Sequence, residues 1–312
     1  MKRKIKRLLT ILAGIWLLAL IVCSIVIFLF FPELLHPDSE KQAEAVRELF
    51  AMDTYITMTA YGKDAETALS EAESKLTELE QRWSVTNSGS DIYAVNRSNG
   101  QAVSVSEDTA NLLSFALQMS EETNGALEPN MMLDLGAIGK GYAGDEAARV
   151  LRENGIASAL INLGGNIQAI GSKPDGTAWR LGLRDPFSDG TFGVLEIRNL
   201  AVVTSGNYER CFIGEDGRQY GHIINSATGY PAESGLVSAT VIAEEGRICD
   251  ALSTALFVMG LDRAVDYWQE HQNFDMILLT EDGEIYLTNG IADAFTLNSD
   301  HSNMKVNVVE DE

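Results

Sequence analysis

The sequence predicts an α+β fold, in which a mixed sheet with packed helices forms a single integrated domain behind one transmembrane helix. The membrane helix is predicted by residues 8–31, an uncharged run of 24 residues that is long enough to cross a bilayer. Helical spacing of apolar residues dominates the chain before Gly155, and short apolar runs separated by Gly, Pro, Asp and Asn follow it. Because strands and helices do not alternate regularly, a doubly wound sheet is not favoured.

Composition excludes several classes of protein. The 312 residues, of which 46% are hydrophobic, suffice for a large core. Lys and Arg number 23 against 45 Asp and Glu, for a formal net charge of -22. Such an acidic chain does not offer the basic surface that general nucleic-acid binding requires. The sequence has no fixed repeat or biased tract, which excludes collagen-like, coiled-coil and low-complexity chains.

The charges around the apolar run predict its orientation. Residues 1–7 hold five cations and no acid, and acids follow the run from Glu33 onwards. This asymmetry predicts that the N-terminal end is cytoplasmic and that the rest of the chain is extracytoplasmic. We therefore expect a basic end at 1–7, an anchor at 8–31 and a polar stalk at 32–48, with the protein in the inner or plasma membrane.

Two alternatives to an uncleaved anchor stay open. A cleaved signal peptide would have a shorter apolar region followed by small residues, whereas Phe30-Phe31-Pro32 ends this one. Lipidation of Cys23 would require a small residue before it, and Val22 stands there. The other two cysteines, Cys211 and Cys249, could form one disulfide, but two buried free thiols are the simpler interpretation.

The first half of the extracytoplasmic part is predicted to hold one strand and three helices. Residues 49–61 are rich in β-branched and aromatic side chains, which predicts a strand. Apolar residues at helical spacing predict a helix over 63–82, and Ser106 is a suitable N-cap for a second helix over 107–123. A third helix is predicted from about 141 to 153.

The second half is predicted to consist mostly of strands. Short apolar runs predict strands at 157–163, 167–170, 179–183, 194–197, 201–204, 237–243, 275–279 and 284–287, with a hairpin at 210–224. Two helices are predicted at 247–259 and 262–271. The domain is therefore expected to span 49–297, and an acidic tail to cover 298–312.

A glycine-rich loop leads into the third predicted helix. In the run DLGAIGKGY, residues 134–142, the free N–H groups of a helix N-terminus and the ammonium of Lys140 suit a phosphate. The GxGxxG spacing is weak evidence for a dinucleotide site, because the strand that follows ends without the expected acidic residue. A glycine-rich turn without a ligand is the alternative.

The run DALST, residues 250–254, is a candidate metal site. Asp250 and Thr254 are four residues apart, so their oxygens lie on one face of a helix. A carboxylate and a hydroxyl suit Mg²⁺, which keeps several waters and takes further oxygens from phosphate. An acid near a helix start and a threonine that bonds backwards also occur commonly without a metal.

Three further stretches carry polar groups of interest. His222 precedes an apolar pair on a predicted strand and could present a general base, although a structural histidine is equally plausible. Gly164-Gly165-Asn166 is a tight turn after a strand, and Thr204-Ser205-Gly206 supplies hydroxyls with close backbone approach. Both of these stretches favour a phosphate site.

Taken in order, these motifs resemble the ApbE-type flavin transferases, the FAD:protein FMN transferases, from about Phe50 to about Gly260. The resemblance rests on these stretches: Met52-Asp53-Thr54, 84–96, Gly125-Ala126-Leu127-Glu128-Pro129, 134–142, Gly164-Gly165-Asn166, 204–210, His222-Ile223-Ile224, Thr228-Gly229-Tyr230-Pro231 and 250–254. It implies a catalytic domain of the ApbE type.

The resemblance also implies roles for individual residues. Mg²⁺ would be held by Asp250, Thr254 and the backbone carbonyl of Ala137, with Ser253 beside them. His222 would be the base that accepts the proton of the acceptor hydroxyl. FAD would be bound by the following residues: Met52, Thr86, Ala126, Leu127, Glu128, Asp134, Lys140, Gly165, Asn166, Thr204, Ser205 and Ile224.

Several positions depart from the family pattern. Thr86 stands where the family has a tyrosine, so an aromatic ring that would stack on the flavin is lost unless Trp83 or Tyr93 replaces it. Asp53 replaces a glycine, and Glu128 replaces an aspartate. The metal and phosphate elements match the family.

The expected function is Mg²⁺-dependent transfer of FMN from FAD, through a phosphodiester, to a Thr or Ser of an extracytoplasmic flavoprotein. AMP would be released, and the acceptor would belong to a membrane electron-transfer system. Two alternatives remain: an FAD pyrophosphatase that delivers FMN to water, and a flavin-binding protein without turnover.

Overall fold

The computed structural model describes residues 43–127, 135–208, 211–214, 217 and 219–311. The basic end at 1–7, the predicted membrane helix at 8–31 and most of the predicted stalk lie outside these residues. Within the described ranges, no helix has both the length and the apolar character needed to cross a membrane. Glu44–Glu312 forms one compact unit.

Within the described ranges, six α-helices are interspersed among sixteen strands. The helices are α1 (Ala65–Trp83), α2 (Asp91–Asn96), α3 (Glu107–Glu122), α4 (Gly139–Glu153), α5 (Gly246–Met259) and α6 (Leu261–His271). The strands are β1 (Glu44–Ala51), β2 (Thr54–Tyr61), β3 (Ser158–Leu163), β4 (Asn166–Ile170), β5 (Trp179–Arg184), β6 (Thr191–Ile197), β7 (Ala201–Gly206), β8 (Cys211–Ile213), β9 (Gln219–Gly221), β10 (Ile224–Asn225), β11 (Tyr230–Pro231), β12 (Leu236–Ala243), β13 (Asp275–Thr280), β14 (Ile285–Thr288), β15 (Phe295–Leu297) and β16 (Val306–Val309).

A nine-stranded sheet organises the domain, with strand order β1-β2-β3-β4-β7-β12-β13-β14-β16. Its neighbours are antiparallel except β14 and β16, which are parallel. A smaller sheet of order β15-β6-β5 accompanies it. The prediction of a mixed α+β fold is therefore confirmed.

The central strands of the large sheet are buried on both faces. Successive residues of a strand point to opposite faces, and on β13 Leu278 packs with the helices whereas Ile277 packs with the smaller sheet. The helical side includes Leu76 of α1 and Leu256 of α5. Every residue of β12 is buried for this reason, which explains why this central strand reads as a nearly continuous apolar run.

The prediction of a single strand at 49–61 is wrong, because the structure has two strands there. Ala51 pairs with Thr54, so Met52 and Asp53 form a two-residue hairpin loop. Their φ angles are 53° and 55°, and positive φ at both central residues is what a type I′ loop requires. Met-Asp is not the Asn-Gly or Asp-Gly pair that marks such loops, which is why the sequence pattern does not reveal the turn.

Several other boundaries also differ from the prediction. Strand β1 begins at Glu44, so the last five residues of the predicted stalk belong to the sheet, as an edge strand with one exposed face. Part of the predicted acidic tail forms β16 beside β14. Cys249 is a buried free thiol as expected, but Cys211 is exposed because it lies on the short hairpin of β8 and β9.

Candidate active site

Two glycines bring the start of α4 into backbone contact with the start of α5. A Cβ atom on Gly141 would lie 2.3 Å from the carbonyl oxygen of Gly246, and a Cβ on Gly246 would lie 2.8 Å from the carbonyl oxygen of Gly141. Side chains do not approach backbone atoms this closely. Glycine is therefore required at both positions for the helices to meet here.

The two helices exchange hydrogen bonds at this contact. The Gly141 amide of α4 donates to Asp250 Oδ2 of α5 over 2.8 Å. In the other direction, the Gly246 and Arg247 amides of α5 donate to Asp145 Oδ1 and Oδ2 of α4 over 2.6 Å and 3.0 Å. Each carboxylate thus binds N-terminal amides that have no partner within their own helix. We call Gly141, Asp145, Gly246 and Asp250 the carboxylate clasp.

The clasp holds two acids in a poorly solvated place. Asp250 is only 3% exposed, and Asp145 is half-buried between the helices. Burial raises the pKa of Asp145 to about 6, although hydrogen bonds from the Arg247 and Gly246 amides act in the opposite direction. The enclosure therefore disfavours the charged form of Asp145.

Hydroxyl groups from β7 and α5 meet beside Asp250. Ser205 Oγ lies 3.0 Å from Ser253 Oγ and 3.1 Å from Thr254 Oγ1. Asp250, Ser253 and Thr254 occupy consecutive turns of one face of α5, as their spacing predicts. The structure thus brings a predicted phosphate residue, Ser205, into contact with the predicted metal residues.

This arrangement fits a hard cation. In a continuing helix the Gly141 amide would bond to the Ala137 carbonyl, but here it bonds to Asp250. The Ala137 oxygen therefore does not accept this amide. Within the described residues no group of three His, Cys, Asp or Glu side chains could hold a metal ion. One carboxylate with hydroxyl and carbonyl oxygens still suits Mg²⁺, which retains waters and takes phosphate oxygens.

Three predicted segments lie at the same end of the large sheet. Strand pairing places Ile56 opposite Leu163, and Leu163 opposite Asn166. Strand β4 is antiparallel to β7, so the start of β4 lies beside the end of β7, where Thr204 and Ser205 are found. The Met52–Asp53 loop, the Gly164–Gly165 turn and the end of β7 therefore lie at the same end of the strands.

The turn of the Gly-Gly-Asn motif is tightly packed at this end of the strands. Gly164 has a φ of 59°, and a Cβ there would lie 1.7 Å from Thr54 Oγ1, so glycine is required. Asn166 is buried, and among the described residues its Nδ2 has no hydrogen-bond partner. An unpaired buried donor is costly, and it suits a ligand that offers an acceptor.

Thr86 stands where the family has a tyrosine, and the two aromatic residues considered as replacements, Trp83 and Tyr93, both have other contacts. Thr86 is exposed, and its hydrogen bonds go to Ser84. Trp83 is buried, donates to Thr109 Oγ1 over 3.1 Å and packs edge-on against Tyr142. Trp83 is therefore committed to the core, and Tyr93 stacks with the guanidinium of Arg97.

The remaining described candidates lie on loops, on β10 or in the first turn of α4. Lys140 Nζ donates to the carbonyl of Gly136, and the Leu127 amide donates to Thr123 Oγ1. Ser226 Oγ donates to the carbonyl of Gly125 over 2.7 Å, which joins the Ala126–Leu127 stretch to the loop between β10 and β11. Among the other candidates, His222 and Ile224 are exposed. The Met52 amide donates to Glu80 Oε1. Glu128 and Asp134 lie outside the described residues.

Sequence reasoning did not identify Asp145. Its partners are more than 100 positions away in the chain, so no local rule connects them. A signal was nevertheless present, because Gly-x-x-x-Asp occurs at 141–145 and again at 246–250. In both helices the aspartate lies four residues after the glycine, although Gly141 is the third residue of α4 and Gly246 the first of α5.

Known proteins with similar sequences are flavin transferases. The FAD:protein FMN transferase of Klebsiella pneumoniae (strain 342) is 39% identical over 163 residues, which cover 52% of this chain and 49% of that protein. That of Treponema pallidum (strain Nichols) is 37% identical over 176 residues, which cover 53% and 48%. The chain thus spans about half the length of the curated relatives it matches.

Solved structures extend the similarity to most of the fold. The ApbE protein of Thermotoga maritima superposes with a TM-score of 0.74 at 26% identity, covering 81% of this chain and 99% of that one. The flavin transferase ApbE of Vibrio cholerae has a TM-score of 0.73 at 22% identity, with the same coverage. The sequence model of the ApbE family matches residues 52–130 and 127–278. The chain therefore belongs to the ApbE family.

Proposed function

We propose that this protein transfers FMN from FAD to a Ser or Thr hydroxyl of an acceptor flavoprotein, with Mg²⁺ as cofactor and AMP as the second product. The observation that carries the proposal is the meeting of Asp250, Ser253 and Thr254 with Ser205 beside the start of α4. Family membership supports it, because the related proteins named above are FAD:protein FMN transferases.

The chemical difficulty is that the pyrophosphate of FAD is anionic and repels an incoming oxygen nucleophile. When bound, Mg²⁺ would withdraw charge from the phosphates. Asp250, Thr254 and the Ala137 carbonyl would hold it, with Ser253 and Ser205 arranging the hydroxyls around that position. Phosphate oxygens would complete the coordination, since among the described residues no group of three His, Cys, Asp or Glu side chains could hold a metal ion.

Local positive groups must attract FAD to a protein whose net charge is -22. Lys140 stands in the first turn of α4, and its bond to the Gly136 carbonyl keeps the ammonium at the helix start. Asn166, at the start of β4, offers a buried amide donor. These groups would bind and orient the phosphates and the flavin.

The acceptor hydroxyl loses its proton as its oxygen bonds to the phosphorus of the FMN half. The bond from that phosphorus to the bridging oxygen breaks, and AMP leaves with that oxygen. His222 is the group that would accept the proton. It lies on the exposed connection between β9 and β10, where a protein acceptor can reach it.

We place the domain on the outer side of the membrane, tethered by residues 8–31. The support is the cation cluster at 1–7 followed by an uncharged run and acids. A truncated chain without residues 1–31 should retain FAD turnover, because the clasp and the hydroxyl groups lie beyond Glu44. Loss of turnover in a folded truncated chain would argue against a simple tether.

The direct test incubates the full-length protein in detergent with FAD, Mg²⁺ and a candidate acceptor flavoprotein, with EDTA as the control. Transfer produces a fluorescent acceptor band and AMP only with Mg²⁺. Free FMN and AMP without a fluorescent band would show a pyrophosphatase instead. Unchanged FAD with every acceptor would show a flavin-binding protein without turnover.

A further inference from the structure

The helix that carries the predicted metal residues is capped from another helix. At the start of α5, Glu245 occupies the N-cap position but makes no capping hydrogen bond through its side chain. The amides of Gly246 and Arg247 instead donate to the carboxylate of Asp145, which belongs to α4. The two bonds to Asp145 therefore help to set the position of α5 along α4.

The same dependence holds in the other direction. Ile138 at the N-cap of α4 has no capping side chain, and Asp250 supplies the acceptor for the Gly141 amide. Asp250 lies one turn after the amides that Asp145 binds. A shift of the α5 start would thus move Asp250 and Thr254 relative to the Ala137 carbonyl, which is on the α4 side of the contact.

Packing leaves little alternative placement for the α5 start. The position of a Cβ on Gly246 lies 2.8 Å from the Gly141 carbonyl oxygen, 3.0 Å from Gln168 Oε1 and 3.2 Å from Asp145 Oδ1. The start of α5 is therefore closely packed against atoms of α4 and β4, and within that packing two hydrogen bonds attach it to Asp145.

From this geometry we infer that Asp145 is a positioning residue for the metal site, holding Asp250 and Thr254 in register with the Ala137 carbonyl without touching the substrate. This inference rests on the proposed function, because it takes Asp250 as a metal ligand. Groups that orient metal ligands commonly change metal affinity by 10–100-fold when they are removed. A cap with a purely stabilising role would lower the melting temperature and leave metal affinity unchanged.

The test measures Mn²⁺ binding to the full-length protein by electron paramagnetic resonance, well below the melting temperature. Asp145→Ala should raise the Kd for Mn²⁺ by about tenfold or more, and Asp145→Asn, which keeps one acceptor oxygen, should recover part of the loss. Ser106→Ala is the matched control: it removes the N-cap of α3, which carries no predicted metal residue, and should leave the Kd unchanged.

The outcomes separate this inference from the proposed function. If Asp145→Ala does not fold, Asp145→Asn decides; because one acceptor oxygen remains, a Kd at least about threefold above wild type is expected, less than the 10–100-fold change that follows full removal of such a group. Wild-type affinity in a folded Asp145 variant overturns the positioning role but leaves the proposed function standing. Mn²⁺ binding by wild type that survives Asp250→Ala overturns both, because Asp250 would then not be a ligand.

Discussion

Asp145 and Asp250 each bind the helix that carries the other, and each lies four residues after the glycine whose amide the other one binds. One consequence concerns the glycine-rich run at the start of α4. Its Gly141 amide serves Asp250 and is not available to a phosphate. In this part of the site the glycines allow helix contact, and we propose that the phosphates are bound by Lys140 and the end of β7 instead.

Asp250→Asn should abolish turnover while the fold remains. The amide oxygen of asparagine can still accept the Gly141 amide, so the clasp is kept, but the charge that would hold Mg²⁺ is lost. We expect AMP production to fall by at least about 100-fold, with FAD binding and the melting temperature close to wild type. Chromatography of AMP and flavin fluorescence measure these; near-normal Mg²⁺-dependent turnover would remove Asp250 from the metal site.

His222→Ala should impair transfer but not binding. A hydroxyl is a poor nucleophile until a base accepts its proton, and such help is worth about 10²–10⁴-fold. The loss should shrink as pH rises, since the hydroxyl then needs less help. Transfer rates, an FAD titration and a thermal melt are the measurements. A structural role for His222 predicts a lower melting temperature with binding and transfer lost together, and unchanged transfer would exclude it from the mechanism.

Gly141→Ala should destabilise the protein strongly, because the new Cβ would lie 2.3 Å from a backbone oxygen. A forced shift of packed backbone costs at least about 1–3 kcal/mol. Gly139→Ala, two residues earlier in α4, is the matched control, since its Cβ would meet Leu135 Cβ at an ordinary 3.6 Å, and alanine favours helix by up to about 1 kcal/mol. Urea unfolding compares them, and equal stabilities would contradict the close contact.

Asp145 should make stability depend on pH. Its pKa is about 6 in the folded protein against an ordinary 3.8, so the folded state holds this proton more tightly than the unfolded state. Its contribution is therefore full below about pH 4, declines as pH rises through 6, and is absent above that. The decline is at most on the order of 3 kcal/mol, and less because solvent reaches the half-buried side chain.

Asp145→Asn supplies the comparison for that pH dependence, because it has no group to titrate. Free energies of unfolding in urea, measured from pH 4 to pH 7.5, should show the wild type losing stability relative to the variant as pH rises to about 6. Parallel curves for the two proteins would mean that the pKa of Asp145 is not raised by the fold.

Local pattern predicted the elements and part of the site. The apolar spacing in 63–82 and 107–123 predicted α1 and α3 close to their observed bounds. Helical geometry placed Asp250 and Thr254 on one face of α5, whereas their assignment to a metal came from the family resemblance. The hairpin at Met52–Asp53 was missed because Met-Asp is not one of the pairs, such as Asn-Gly or Asp-Gly, that mark a two-residue loop. Asp145 was missed because its role exists only when two distant helices cross, which no single segment of sequence encodes.

The measurement closest to the central claim is the intact mass of an acceptor flavoprotein after incubation with this protein, FAD and Mg²⁺. If FMN is transferred to a hydroxyl, the acceptor gains one FMN through a phosphodiester, and the amount of modified acceptor equals the AMP released. AMP released without any gain of acceptor mass would contradict the account, because the phosphorus would then have been attacked by water.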